Sequence, residues 1–133
     1  MRAAAATAGM VSAAVLLAPG CGGSPPDRPQ DSDPLRQASF RSLAAREFLA
    51  SCPGAAARSE TLQQAQRLEE LKQLANRKGA ARAVALGEND WAAVARYDER
   101  ERCEPGEEAY GEAMAAFSQT LDTLARRIAE YRP

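Results

Sequence analysis

Cysteine, carboxylate and aromatic side chains are the residues of this chain that could carry chemistry or recognition, because histidine is absent. Without histidine there is no Ser-His-Asp triad, no Cys-His pair and no imidazole ligand for haem or metal. The chain has three cysteines, Cys21, Cys52 and Cys103, and they lie too far apart for the close pairs of a zinc site. An odd number of cysteines in an exported protein indicates an intermolecular bond, a free thiol or a modification.

The acidic residues are numerous, but their number does not define a catalytic site. Acid–base catalysis needs one desolvated carboxyl with a raised pKa beside an ionised partner, and no such asymmetry is visible. The sequence also lacks a phosphate-cradling glycine loop, a dinucleotide fingerprint and the acidic spacing of a calcium loop. We therefore expect a protein that is not an enzyme and that uses no cofactor and no metal.

The first residues have the layout of a secretory signal. Met1 and Arg2 supply a positive start, residues 3–18 supply an apolar core, and Ala18-Pro19-Gly20 are small or turn-forming. The core is too short and too rich in alanine for a membrane span, which needs about twenty apolar residues.

At Cys21 this segment resembles the signal peptides of bacterial lipoproteins, in which a small residue precedes a cysteine that receives a diacylglyceryl group. The resemblance covers residues 1–21, with Ala18 at the position where leucine is usual. It implies a signal peptide over residues 1–20 and a lipidated Cys21 as the mature N-terminus. The alternative is an ordinary secretory signal, which would leave a soluble secreted or periplasmic protein.

Residues 21–33 are predicted to be the lipidated cysteine followed by a flexible tether. Gly, Pro and Asp dominate after Cys21, and the twelve residues reach at most about 40 Å when extended. In lipoproteins of diderm bacteria, an aspartate directly after the cysteine tends to retain the protein in the inner membrane. Gly22 stands there, so the resemblance implies the outer membrane, facing the periplasm.

Residues 34–133 are predicted to form one all-α domain. Helix-forming residues abound, whereas valine, isoleucine and threonine are scarce and no alternating strand pattern occurs. We expect a small up-and-down bundle of three to four main helices stapled by one disulfide. If lipid occupies Cys21, the disulfide joins Cys52 to Cys103; the competing interpretation is two free thiols in a reducing compartment.

Two helices are predicted in the first half of the domain. The first has Asp33 as N-cap and runs to Cys52, before the turn at Pro53-Gly54; its buried face comprises Phe40, Leu43, Ala44 and Phe48. The second begins near Ser59 or Thr61, with Thr61 and Gln64 spaced as a capping box, and ends at Gly79. Its buried residues are expected to be Leu62, Ala65, Leu68, Leu71 and Ala75.

The second half is predicted to hold a short apolar piece over residues 80–86 and two further helices. The third helix starts at Asp90 as its N-cap and ends at Cys103, ahead of Pro105-Gly106. The last helix is the most strongly patterned, with apolar residues at alternating spacings of four and three. They are Tyr110, Met114, Phe117, Leu121, Leu124, Ile128 and Tyr131.

The two inner cysteines test the topology. In an up-and-down bundle they lie at the same end, but the first and third helices of a square bundle could be diagonal, so a bridge requires frayed helix ends or a flatter arrangement. Because the tether enters at the start of the first helix, the cysteine end is predicted to face away from the membrane. The end near Gly87 and Trp91 should lie closer to it.

Candidate partner-binding residues are Glu88, Asp90, Trp91 and Tyr97, in and after the distinctive segment that begins at Gly87. The simpler interpretation of Trp91 is a core residue at the start of a helix. Net charge is −1 and the basic residues are interspersed with acids, which does not indicate nucleic-acid binding.

Three functions follow as hypotheses. The favoured one is a lipid-anchored envelope protein that acts by binding or scaffolding an envelope protein partner. The second is an inhibitor or accessory subunit of an envelope enzyme. The third is a carrier of an apolar ligand between the helices, near Met114 and Phe117, against the simpler interpretation that these residues are core.

Overall fold

The computed structural model describes residues 33–97 and 101–133. The predicted signal peptide, Cys21 and the tether up to residue 32 lie outside the described residues. The described part of the chain holds four α-helices and no strand. They are α1 (Pro34–Ala50), α2 (Ser59–Arg77), α3 (Ala81–Tyr97) and α4 (Glu107–Glu130), with a short 3₁₀ helix at Ala55–Ala57. The predicted all-α bundle is confirmed.

Helix α1 begins as predicted and ends earlier. The Asp33 carboxylate accepts a hydrogen bond from the backbone N–H of Arg36 at 3.1 Å, and Pro34 occupies the first turn. The helix stops at Ala50, so Cys52 lies in the following turn, where Gly54 has a φ of 78°. That left-handed conformation suits glycine.

The predicted buried face of α1 was only partly correct. Phe40, Leu43, Ala44 and Phe48 are partly buried, and Leu43 and Phe48 pack against the core. The fully covered residues of α1 are smaller on average and lie on a neighbouring face; they are Leu35, Ala38, Ser39, Ser42 and Leu49. The physical reason is that α1 contacts two other helices closely, and small side chains permit both approaches.

Helix α2 ends as its sequence predicts, but it does not start with the predicted capping box. Gly79 has a φ of 82°; its N–H and that of Ala80 donate to the carbonyls of Asn76 and Ala75, a Schellman ending. At the other end no side chain caps the helix. The Thr61 hydroxyl is instead hydrogen-bonded to the phenol of Tyr110 at 2.7 Å, because α4 lies alongside.

The expected inward residues of α2 divide into two groups. Leu68 and Ala75 are buried, Ala65 is partly buried, and Leu71 is partly buried against the core. Leu62, also expected inside, is 59 % exposed.

Helix α3 is continuous where the sequence predicted a break. Gly87, which follows the predicted apolar piece, and Asp90, which was predicted to be an N-cap, both lie inside it. Helix-breaking signals are local, and here the contact with α1 overrides them. The predicted end at Cys103 was also wrong, since α3 extends to Tyr97 and Cys103 lies in a non-helical segment.

Helix α4 agrees with its predicted pattern. Five of the seven seam residues are buried, and Met114 and Tyr131 pack partly buried against the same core. Glu107 and Glu108 occupy the first turn and Arg127 the last, the arrangement that the helix dipole favours.

The helices do not follow chain order around the bundle. α1 packs most extensively against α4 and α3, whereas α2 packs against α4 and, less, against α3. Helices α2 and α4 run parallel to each other. Arg58 donates to Glu107 where both helices begin, and Lys78 donates to the Ile128 carbonyl where both end. α1 and α3 are therefore neighbours, which removes the difficulty that a square bundle in chain order would place them on a diagonal.

The predicted Cys52–Cys103 disulfide is present and both residues are buried. Their Cα atoms are 4.7 Å apart. Ser51 reinforces the junction, because its hydroxyl accepts from the N–H of Cys103 at 2.9 Å and donates to the Phe48 carbonyl at 2.6 Å. The segment before α4 is thus held covalently and by hydrogen bonds at the end of α1.

Gly87 marks a close contact between α1 and α3. A Cβ added there would overlap the Arg36 carbonyl and would lie 2.7 Å from the Ser39 Cβ and 2.9 Å from the Phe40 nitrogen. Two of these three atoms belong to the α1 backbone, which cannot rotate away. Only glycine therefore allows the two helices to sit this close.

We expect Gly87→Ala to lower the free energy of unfolding by about 1–3 kcal/mol through overpacking. Helix propensity alone would raise it, by about 1 kcal/mol. Gly111→Ala is the matched control, because Gly111 lies inside α4 with open space around it, and we expect this substitution to stabilise. Denaturant unfolding followed by circular dichroism measures both. Equal stabilisation by the two substitutions would contradict the close contact.

Candidate partner-binding residues

Asp90 lies inside the bundle, between α3 and α1. Its side chain is 8 % exposed, and both carboxylate oxygens accept from the Arg36 guanidinium, from Nε at 2.6 Å and from Nη2 at 2.8 Å. This hydrogen bonding, with the negative charges of Asp90 and Asp33, raises the pKa of Arg36 against the lowering effect of burial. Because this carboxylate is buried and already paired with a guanidinium, it is poorly accessible to a ligand from solvent.

Trp91 contacts the same helix one residue later. Its ring meets the Phe40 ring edge to face, with centroids 5.8 Å apart. Nearby, the Ser39 hydroxyl donates to the Val84 carbonyl at 2.8 Å. Trp91 is half-buried in the middle of α3, so the prediction that it begins a helix was wrong.

Glu88 points toward a different neighbour. Its carboxylate pairs with the Lys72 ammonium of α2 at 2.7 Å, and both side chains are about 30 % exposed. Within one turn, α3 therefore places charges against both α1 and α2.

Tyr97 stands apart from the other three candidates. It is 78 % exposed in the last turn of α3, and it and Leu62 are the large exposed apolar residues of the described chain. The four predicted residues do not converge on one site: Glu88 contacts α2, Asp90 and Trp91 contact α1, and Tyr97 faces solvent.

The partners of these residues were not identified from the sequence. Arg36 is 54 residues from Asp90, and no local pattern links them. The isolated Gly87 inside a helical stretch was the one available signal, because such a glycine often marks a close packing contact.

A second charged cluster lies at the start of α4. Arg58 donates to both oxygens of Glu107 at 3.0 Å, and its guanidinium lies 3.8 Å from the centre of the Tyr110 ring. The hydrogen bonds and the charge of Arg58 lower the pKa of Glu107 below its ordinary value. The cluster joins the N-terminal ends of α2 and α4.

The two residues considered for an apolar-ligand site belong to the core. Phe117 is fully buried there and Met114 is half-buried beside it. Among the described residues no group of three or more histidine, cysteine or acidic side chains could hold a metal ion. Within the same residues, no helix has the length and apolarity to cross a bilayer.

Comparison with known proteins gives no relative. No protein-family model, curated protein or solved structure matches this chain. The functional argument therefore depends on the residues of the chain itself.

We expect Asp90→Asn to lower the melting temperature by roughly 5 °C or more, because an amide offers one acceptor to a guanidinium that needs two. Glu88→Gln is the matched control, since it removes a more exposed ion pair of the same helix and should shift the melting temperature by about 2 °C or less. Thermal unfolding of the two variants measures the difference. Shifts of equal size would show that the Arg36–Asp90 pair has no special structural role.

Proposed function

We propose that this chain is a small exported, lipid-anchored envelope protein that acts by binding or scaffolding other envelope components. The observation that carries the proposal is the Cys52–Cys103 disulfide. Disulfides of this kind persist in oxidising compartments, which supports export. Two of the three cysteines are used, and Cys21 is left as the odd one that a diacylglyceryl group would occupy.

The position of Cys21 supports an anchor. It lies between the apolar segment 3–18 and the predicted tether, and the bundle begins directly after that tether, at Asp33. By the resemblance to lipoproteins, Gly22 favours the outer membrane with the bundle in the periplasm. Such an anchor would keep the domain within about 40 Å of the bilayer.

Binding is favoured over catalysis by the way the described side chains are used. The carboxylates of the most distinctive segment, Glu88 and Asp90, are both engaged in contacts between helices. Tyr97 and Leu62 instead expose most of their surface, which leaves these apolar side chains accessible to a partner. Tyrosine is also enriched among residues that dominate protein interfaces.

The anchor is tested by expressing the full chain in a diderm bacterium that is supplied with radiolabelled palmitate. We expect label in the protein and fractionation with the outer membrane. Cys21→Ser should abolish both, whereas the double variant Cys52→Ser/Cys103→Ser, matched in chemistry, should keep the label. An unlabelled wild-type chain, or label that survives Cys21→Ser, would contradict the anchor.

Binding is tested by placing the photocrosslinking residue p-benzoylphenylalanine at position 97 of the anchored chain. Because Tyr97 is exposed, we expect one reproducible crosslinked protein in intact envelopes, identifiable by mass spectrometry. The same residue at position 119, where Gln119 is exposed on α4, is the control and should give much less product. No product, or equal products at both positions, would argue against Tyr97 as a contact residue.

A further inference from the structure

Basic side chains are concentrated at one end of the bundle. We call it the tether end: it comprises the start of α1, the end of α2, the start of α3 and the end of α4. The Lys78 ammonium donates to the carbonyls of Ile128 and Ala129 at 3.0 and 3.2 Å, which joins the last turns of α2 and α4. The Ser39–Val84 hydrogen bond joins the second turn of α1 to the first turn of α3.

The tether end carries a surplus of positive charge. Glu130 pairs with Arg127 at 3.1 Å, and Asp33 caps α1. Within the described parts of the chain, no carboxylate pairs with the remaining arginines of this end. These arginines are exposed; they are Arg77, Arg82, Arg126 and Arg132.

The opposite end, which holds the disulfide, has the reverse sign. Arg58 is neutralised by Glu107, and the exposed cations of this end among the described residues are Arg96 and Arg102. The exposed acids there outnumber them; they are Glu60, Glu101, Glu104, Glu108 and Glu112. Although the net charge of the chain is −1, its charges are unevenly distributed along the bundle axis, with basic side chains at the tether end and acidic ones at the disulfide end.

We infer that the tether end is a cationic surface that docks on the anionic phospholipid headgroups of the membrane that holds the anchor. The inference rests on the proposed function, since it gives the anchored bundle a preferred face. Guanidinium groups suit this role because their paired N–H donors match phosphate oxygens. Each lysine or arginine that lies close to an anionic surface adds its own contribution to the binding free energy.

The position of the chain's entry into the bundle favours a lipid surface over an acidic protein. Asp33, the last residue of the predicted tether, begins α1 at this same end, so an anchor would deliver these arginines to the bilayer. A linker turns docking into an intramolecular event with a high effective concentration, so weak individual contacts suffice. The acidic end is simultaneously repelled by anionic lipid.

The experiment uses the purified full chain carrying Cys21→Ser, which cannot be lipidated, and its partition between buffer and vesicles. Vesicles of phosphatidylglycerol and phosphatidylcholine are compared with pure phosphatidylcholine, so any affinity of the apolar segment 3–18 is common to both. We expect stronger binding to the anionic vesicles, lost at high salt because screening shortens electrostatic reach.

Two double variants separate position from net charge. Arg82→Gln/Arg126→Gln removes two exposed arginines of the tether end and should weaken binding to anionic vesicles about 10- to 30-fold. Arg96→Gln/Arg102→Gln removes two from the opposite end and should change binding less than about 3-fold. Equal losses in the two variants, or no preference for anionic vesicles, would overturn the inference. Neither result depends on lipidation, so failure of the anchor itself is detected separately by the palmitate experiment.

Discussion

The close contact of α1 with α3 at Gly87 is the constraint on which the rest of the bundle depends. With no side chain there, the α3 helix lies against the α1 backbone between Arg36 and Phe40. That approach brings Asp90 within bidentate reach of Arg36 and sets α1 beside α3 rather than on a diagonal. The segment after α3 can then return to the end of α1, where Cys103 meets Cys52.

Where α1 and α4 meet, small side chains of α1 pack against large side chains of α4. α1 presents small residues such as Ala38 and Ser42, and α4 presents Phe117, Leu121 and Leu124, which are completely buried. Each large side chain contributes about 1.5–3 kcal/mol when fully buried. The Ser42 hydroxyl donates to the Thr120 carbonyl at 3.4 Å, so its burial leaves no unpaired donor. The disulfide, with its sequence separation of 51, adds about 4 kcal/mol in the chain-entropy view.

The all-α fold class and the clearest helix-end and helix-face patterns were predictable from the sequence, because they depend on residues that are close together in the chain. Asp33 caps α1, Gly79 ends α2, and the four-three spacing of α4 marks its buried seam. The errors arose where distant residues decide. Gly87 and Asp90 are boundary signals in isolation, but α1 makes them interior residues of α3. The buried face of α1 depends on which two helices contact it, and spacing alone does not contain that information. For the same reason, the sequence identified Asp90 and Glu88 as notable without identifying Arg36 and Lys72 as their partners.

The covalent connection between Cys52 and Cys103 also changes how mechanical load would travel through the molecule. Tension applied at Asp33 and resisted by a partner at Tyr97 passes along α1 to Cys52, crosses to Cys103 and reaches Tyr97 through a short stretch of backbone. All of α2 lies outside that path. The disulfide therefore carries the load past α2. Even if a pull unravelled α1, the segment between the two cysteines could not extend, because the disulfide closes it into a loop.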